Sequence, residues 1–216
     1  MKAIHGGKAT HETIDAQKLA VLLRGGMLPH ASVSPAAMRA TRDLLRRRLH
    51  LTRNRAERLA HIQNTHSPYN LPELGKKLAY QANRDGVVER FSDAAVQQRG
   101  AVDLAMMGCY DQLLTDVEWT IVQTAKQHDA HTLSRRPSVP GIGKMLRLVL
   151  RYESHDISRF PRGQDVVSYC RLVTCAQASA GNRDGTSGAQ IGHASLPWAF
   201  SEAAALFLRN NPVGQT

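Results

Sequence analysis

A chain of 216 residues with a formal charge of +10, a pI near 10.0, 42% apolar and 21% charged residues has the balance of a folded protein with a polyanionic partner. No apolar run nears the roughly twenty residues of a spanning helix, and Met1-Lys2-Ala3-Ile4-His5-Gly6-Gly7 lacks an apolar signal core; nucleic acid in a cytosolic setting, not a membrane, is the expected partner. Three cysteines, and histidines scattered without HExxH or CxxC spacing, exclude a disulfide framework and a zinc site, while aromatics at 5% argue against base stacking as the main mode of contact.

The apolar spacing of Ala16, Leu19, Ala20 and Leu23 predicts a short helix over Ile14–Arg24, stopped by Gly25-Gly26. From Ala36 to about Thr65 there is no Gly or Pro. Met38, Leu45, Leu49, Thr52, Ala56 and Leu59 fall within roughly 80° of arc at 100° per residue, in the four-three alternation of a coiled-coil seam. His66-Ser67-Pro68 ends this helix. A connector with turn chemistry at both ends leads to Ser92, expected as an N-cap with Asp93 helping at the dipole. Val102, Met106, Tyr110, Leu113, Val117 and Ile121 then form a second long stripe, weakened at Gly108. The two helices are expected either as an antiparallel arm or as ordinary lining of a helical core. After His131 glycine and serine become frequent and helices short. A last helix is expected from near Ser195, with Pro197 in its first turn, through Trp198, Phe200, Ala203, Ala204 and Phe207. The fold class is therefore mainly α.

Four features could carry chemistry. Eight arginines crowd the first long helix against Asp43 and Glu57, leaving +6 on that segment. Arg39, Arg42, Arg46 and Arg53 cluster beside the seam, a stripe suited to a phosphate backbone or simply a solvated flank. Pro140-Gly141-Ile142-Gly143-Lys144 is a glycine hairpin opening a helix. Gly141 and Gly143 permit close backbone approach, the helix end attracts an anion and Lys144 adds a cation; many helix turns look alike. Ser179 stands between small residues, with Arg171 and Arg183 near enough in sequence to face a phosphoryl oxyanion; a turn serine is the plain alternative. Glu12 and Asp15, three apart, share a helix face and could help hold Mg²⁺ or merely cap the helix.

These pieces occur in an order that resembles the IS-one-ten family of bacterial insertion-sequence transposases, the DEDD or bridge-RNA-guided kind. The matching residues include Ile14-Asp15-Ala16-Gln17-Lys18-Leu19-Ala20, Thr41-Arg42-Asp43-Leu44-Leu45-Arg46-Arg47-Arg48 and His61-Ile62-Gln63-Asn64-Thr65. They continue with the Gly141 hairpin, Arg159-Phe160-Pro161, Ser168-Tyr169-Cys170-Arg171-Leu172-Val173, Ser179-Ala180-Gly181 and Trp198-Ala199-Phe200-Ser201-Glu202-Ala203-Ala204. The resemblance implies three parts: a remnant of an RNase-H/RuvC-like domain over 1–35, a coiled-coil arm over 36–131, and a small helical transposase domain with a helix-hairpin-helix-like turn over 132–216. It implies that Asp15 is the last acid of a Mg²⁺-binding tetrad, that Glu12 takes the place of its third, and that Ser179 is the nucleophile of strand cleavage and exchange. The implied partners are DNA, a structured guide RNA and further copies of the chain, in a bacterial, nucleoid-associated setting. The family's first two acids lie upstream of the matching segment, so an internal piece unable to transpose DNA alone is expected. Two other functions compete: a protein that grips nucleic acid without cutting it, and a remnant that only pairs with relatives through its arm.

Overall fold

The structure is a computed structural model that describes residues 12–27, 33–72, 74, 76–134, 139–173, 175–179, 182–187 and 195–211. It is mainly helical, as expected, and divides into two units, Met1–Ser34 and Pro35–Thr216.

The first unit contains α1 (Glu12–Arg24). The amide of Met27 bonds to the Leu22 carbonyl and that of Gly26 to Leu23, with Gly26 at φ +64°. This six-to-one, five-to-two pair needs a left-handed residue, which is why the Gly25-Gly26 pair stops the helix.

The second unit is built on two long helices, α2 (Ala36–His66) and α3 (Ala94–His128). They run antiparallel, as the cross-links between them show: Arg48 pairs with Glu118, Arg55 with Asp111 and Arg58 with Asp103. The N-cap of α3 is Asp93 rather than Ser92; its carboxylate accepts from the amides of Ala95 and Val96. Gly108 does not interrupt the helix.

The buried face of α3 is rotated by about 75° from the expected stripe. Tyr110, Val117 and Ile121 remain on it or beside it, but Val102, Met106 and Leu113 are exposed, and Val96, Gly100, Asp103, Met107 and Ala125 are buried instead. Two non-apolar core positions explain the error. Gly100 admits Val88, whose Cγ1 would lie 2.9 Å from an added Cβ. Asp103 is buried because it accepts from His61 Nδ1 at 2.5 Å and faces Arg58 Nη1 at 3.6 Å. On α2, Ala56 is exposed while Thr41 and Thr65 are buried.

Between the long helices the chain makes a series of short 3₁₀ turns, at Ser67–Tyr69, Lys76–Ala79, Gln81–Asn83 and Val88–Arg90. They are tied down by Arg84, whose buried guanidinium donates to the Asp111 carboxylate at 2.6 Å and to the Ala79 carbonyl. Burial alone would raise the Asp111 carboxyl, but the hydrogen bonds from Arg55 and Arg84 outweigh it and hold the group below the ordinary carboxylate range. Ile62, Leu78, Val87 and Met107 form a small core beneath this cap.

At the other end of the pair lie α4 (Ala130–Ser134), α5 (Lys144–Ser154) and α6 (Gly163–Tyr169). They are followed by strands β1 (Cys175–Ser179) and β2 (Asn182–Ser187) and by α7 (Ser195–Asn210). The larger core joins Leu45 of α2 and Ile121 of α3 to Leu148 and Tyr152 of α5 and Ala199 of α7. The base of the helical pair and the C-terminal helices thus share one apolar interior. The antiparallel β1–β2 pair adds the one feature that helical periodicity did not announce. Its last registered pair is Ser179 with Asn182, and a bulge lies between Gln177 and Ala178.

Candidate nucleic-acid interface

The glycine hairpin precedes α5 as expected, but its two glycines do different work. Gly141 sits at φ +86°, and an added Cβ would lie 2.6 Å from the Leu206 carbonyl carbon on α7. It is a glycine because α7 packs on it. Gly143 is the N-cap of α5 at φ −72° and ψ 173°, conformations open to any residue, and an added Cβ would meet nothing within 4 Å. Its neighbourhood is open space. Lys144 beside it is exposed.

The arginines of α2 separate into two classes. Arg39, Arg47 and Arg53 are exposed, with Asp43 and Glu57 among them on the solvent side. Arg46, Arg48, Arg55 and Arg58 instead reach acids on α3 and α5. Arg46 is the clearest case: Nε and Nη2 each donate to the Glu153 carboxylate at 2.7 Å, and that side chain is 1% exposed. Hydrogen bonding to Glu153 strengthens the hold of Arg46 on its proton against the opposing effect of burial. Arg42 is half-buried. The acidic partners missing within α2 come from other helices, which a count along one helix does not see.

Arg171 ends α6 at φ +55°, its amide bonding to Ser168 and that of Leu172 to Val167. A left-handed non-glycine residue costs roughly 1–2 kcal/mol. A few residues earlier Arg159 lies over the rings of Phe160 and Tyr169, at 4.5 and 4.3 Å from their centroids. Burial raises the Cys170 thiol, chiefly by desolvation, and disfavours a reactive thiolate there.

Ser179 closes β1, so its backbone stands at a strand end beside the link to β2, where Arg183 lies. The side chains of Ser179 and Arg183, and the residues Ala180 and Gly181, lie outside what the structure describes. Glu12 and Asp15 lie one turn apart on α1, their side chains likewise outside it. Two donors fall short of the octahedral oxygen set of Mg²⁺, and among the described residues no three His, Cys, Asp or Glu side chains converge to hold a metal ion.

Sequence reasoning overlooked a cavity of about 820 Å³ between α2, α3, the hairpin, α5 and α7. Trp119 and Trp198 both line it, as do Gly143 and Lys144. The chain has only two tryptophans; that scarcity hid their meeting at one place. No helix among the described residues is long and apolar enough to cross a membrane.

Residues 135–216 match the family model described as Transposase IS116/IS110/IS902 family. That stretch holds the hairpin, α5, α6, the β1–β2 pair with Ser179, and α7. No curated protein matches the chain. This stretch, less than half of the chain, is similar to the IS116/IS110/IS902 family of transposases.

Proposed function

We propose that the chain takes part in DNA strand cleavage and exchange, with Ser179 as the attacking group. The observation that carries this reading is the family match over residues 135–216, which contains Ser179 at the end of β1. In the step envisaged, the serine oxygen bonds to phosphorus and gives up its proton as the phosphorus–oxygen bond to the leaving strand breaks. The leaving oxygen takes a proton. One phosphoester replaces another, so a hydroxyl of the exchanged strand can reverse the step and free the serine. Arg171 and Arg183 are the cations nearest in sequence to the charge that builds on phosphorus. Lys144, Arg39 and Arg53 supply positive charge that can hold DNA or a structured guide RNA on the nucleoid. Glu12 and Asp15 are two carboxylates toward a Mg²⁺ site that other groups must complete.

Replacing Ser179 by alanine tests the chemistry. A covalent protein–DNA adduct, read on a denaturing gel, is expected from the native chain and not from Ser179→Ala, with DNA affinity the same in both. No adduct from either protein would sink the serine step and favour a protein that grips without cutting.

Assembly with a second copy is supported by the face of α3 that the fold leaves bare. Val102, Met106, Cys109 and Leu113 are all exposed and spaced four, three, four, a seam that reads the same in both directions. Arg99 lies three residues before it and Asp116 three after. An antiparallel pairing therefore sets Val102 on Leu113 of the second copy, Met106 on Cys109, and Arg99 opposite Asp116. A short thiol-to-thiol cross-linker is expected to trap a dimer through Cys109, and Cys109→Ser to abolish it. A chain that sediments as a monomer at micromolar concentrations removes this pairing.

A further inference from the structure

We propose that the cavity bounded by α3, α5 and α7 seats one unpaired nucleotide of a DNA or RNA strand, its base stacked on Trp119 and Trp198 and its phosphate at Lys144. This rests on the nucleic-acid reading above and deepens it by naming the part of the polymer that is gripped.

The exposure of Trp119 is the starting point. This indole is 65% exposed, although it lies on a helix whose other face is buried. It covers little of the protein's own interior. Trp198, by contrast, is half-buried against the larger core and still reaches the cavity. All the indole of the chain is gathered at this one concavity. A flat π-face left bare in a cleft is what a nucleobase stacks on, and such stacking is indifferent to base identity.

The polar groups fit the same ligand. Lys144 is exposed at the rim, and among the described residues it makes no ion pair. Glu202 is a second rim group and an acceptor suited to the amino and imino donors of a base edge. Glu118, on the wall, is already held by Arg48 at 2.6 Å and adds no free charge. The wall is otherwise mainly apolar, with Met145, Val122 and Leu206. About 820 Å³ is within the usual range of small-ligand clefts and accommodates one nucleotide. A base inside a duplex has both faces covered by its neighbours, so the base seated here must be unpaired.

The two tryptophans make the test direct, since indole fluorescence, excited where the five tyrosines absorb little, reports from this cavity alone. The full chain is titrated with short oligothymidylate, oligouridylate, an abasic strand of equal length and a blunt duplex, while anisotropy of labelled strands reports binding independently. Quenching by the thymidylate or uridylate strand is expected, with binding but no quenching for the abasic strand and the duplex. A difference between the thymidylate and uridylate arms says which polymer supplies the base. Trp119→Ala is expected to weaken single-strand binding ~10-fold, within the range of base-on-aromatic stacking, and to leave duplex binding as it was. Gly143→Asp sets a carboxylate at the rim beside Lys144 and is expected to abolish the quenching. Its fold is preserved, because aspartate is a favoured N-cap and an added Cβ meets nothing within 4 Å; an unchanged melting curve checks this. Equal quenching by duplex or abasic strand, or single-strand affinity unchanged in Trp119→Ala, would overturn the inference. Binding without quenching overturns it alone, whereas no binding to any probe removes the nucleic-acid reading on which it rests.

Discussion

Gly141→Ala is expected to cost about 3 kcal/mol or more, from left-handed backbone strain and overpacking together, and to loosen the C-terminal helices from the helical pair. Both causes are local and independent. At φ +86° an L-residue is strained whatever surrounds it. The new methyl would also lie 2.6 and 2.7 Å from the carbonyl carbon and oxygen of Leu206, and 2.9 Å from its Cβ. Two of these three atoms are backbone of α7, so no rotamer change relieves the clash. The helix must move, and with it Ala199 and Ala203, which complete the larger core. Gly143→Ser, two residues on, is the control. Serine is a preferred N-cap and meets no atom there, so stability should change by no more than a few tenths of a kcal/mol. Urea unfolding of the two variants beside the native chain decides the matter. Equal midpoints for Gly141→Ala and the native chain would mean that the hairpin does not rest on α7 as described.

The contrast within this hairpin shows what a sequence can and cannot disclose. Helices α1, α2, α3, α5 and α7 were legible because their apolar spacing and their punctuation agree: Gly25-Gly26 behind α1, Pro68 behind α2, Pro197 inside the first turn of α7. The face that α3 buries was not legible, because Gly100 and Asp103 hold core positions through close approach and through His61, neither visible to an apolar count. The hairpin was found, yet both glycines were given the same role; only the position of α7 separates a packing glycine from an open one. The cavity was hidden for a similar reason. A composition of 5% aromatic residues argues against stacking on average and is silent about where the tryptophans meet. Arg46 was grouped with Arg39, Arg42 and Arg53 as one stripe for a polyanion, since its partner Glu153 lies far away along the chain.

Arg46 is where a partner hidden from the sequence has the largest consequence. Arg46→Met is expected to destabilise the protein by about 3 kcal/mol, the low end of what stranding a buried carboxylate costs. Glu153 is 1% exposed and takes two charge-assisted bonds from one guanidinium. It also sits next to the end of α5, where the helix dipole disfavours an anion, so its dependence on Arg46 is greater than for a mid-helix acid. Arg46 itself is 34% exposed, which lets water soften the loss and sets the estimate at the low end. Adding Glu153→Met should recover most of the stability, to within about 1 kcal/mol, because a buried pair replaced by apolar groups of similar size often breaks even. The same variants separate a tether from a phosphate contact. The charge-neutral double variant should leave the salt dependence of DNA binding unaltered, whereas Arg39→Gln with Arg53→Gln should flatten the log–log slope by about two units. A double variant that flattened the slope as well would return Arg46 to the polyanion face, and Glu153 would then be its resting partner in the absence of DNA.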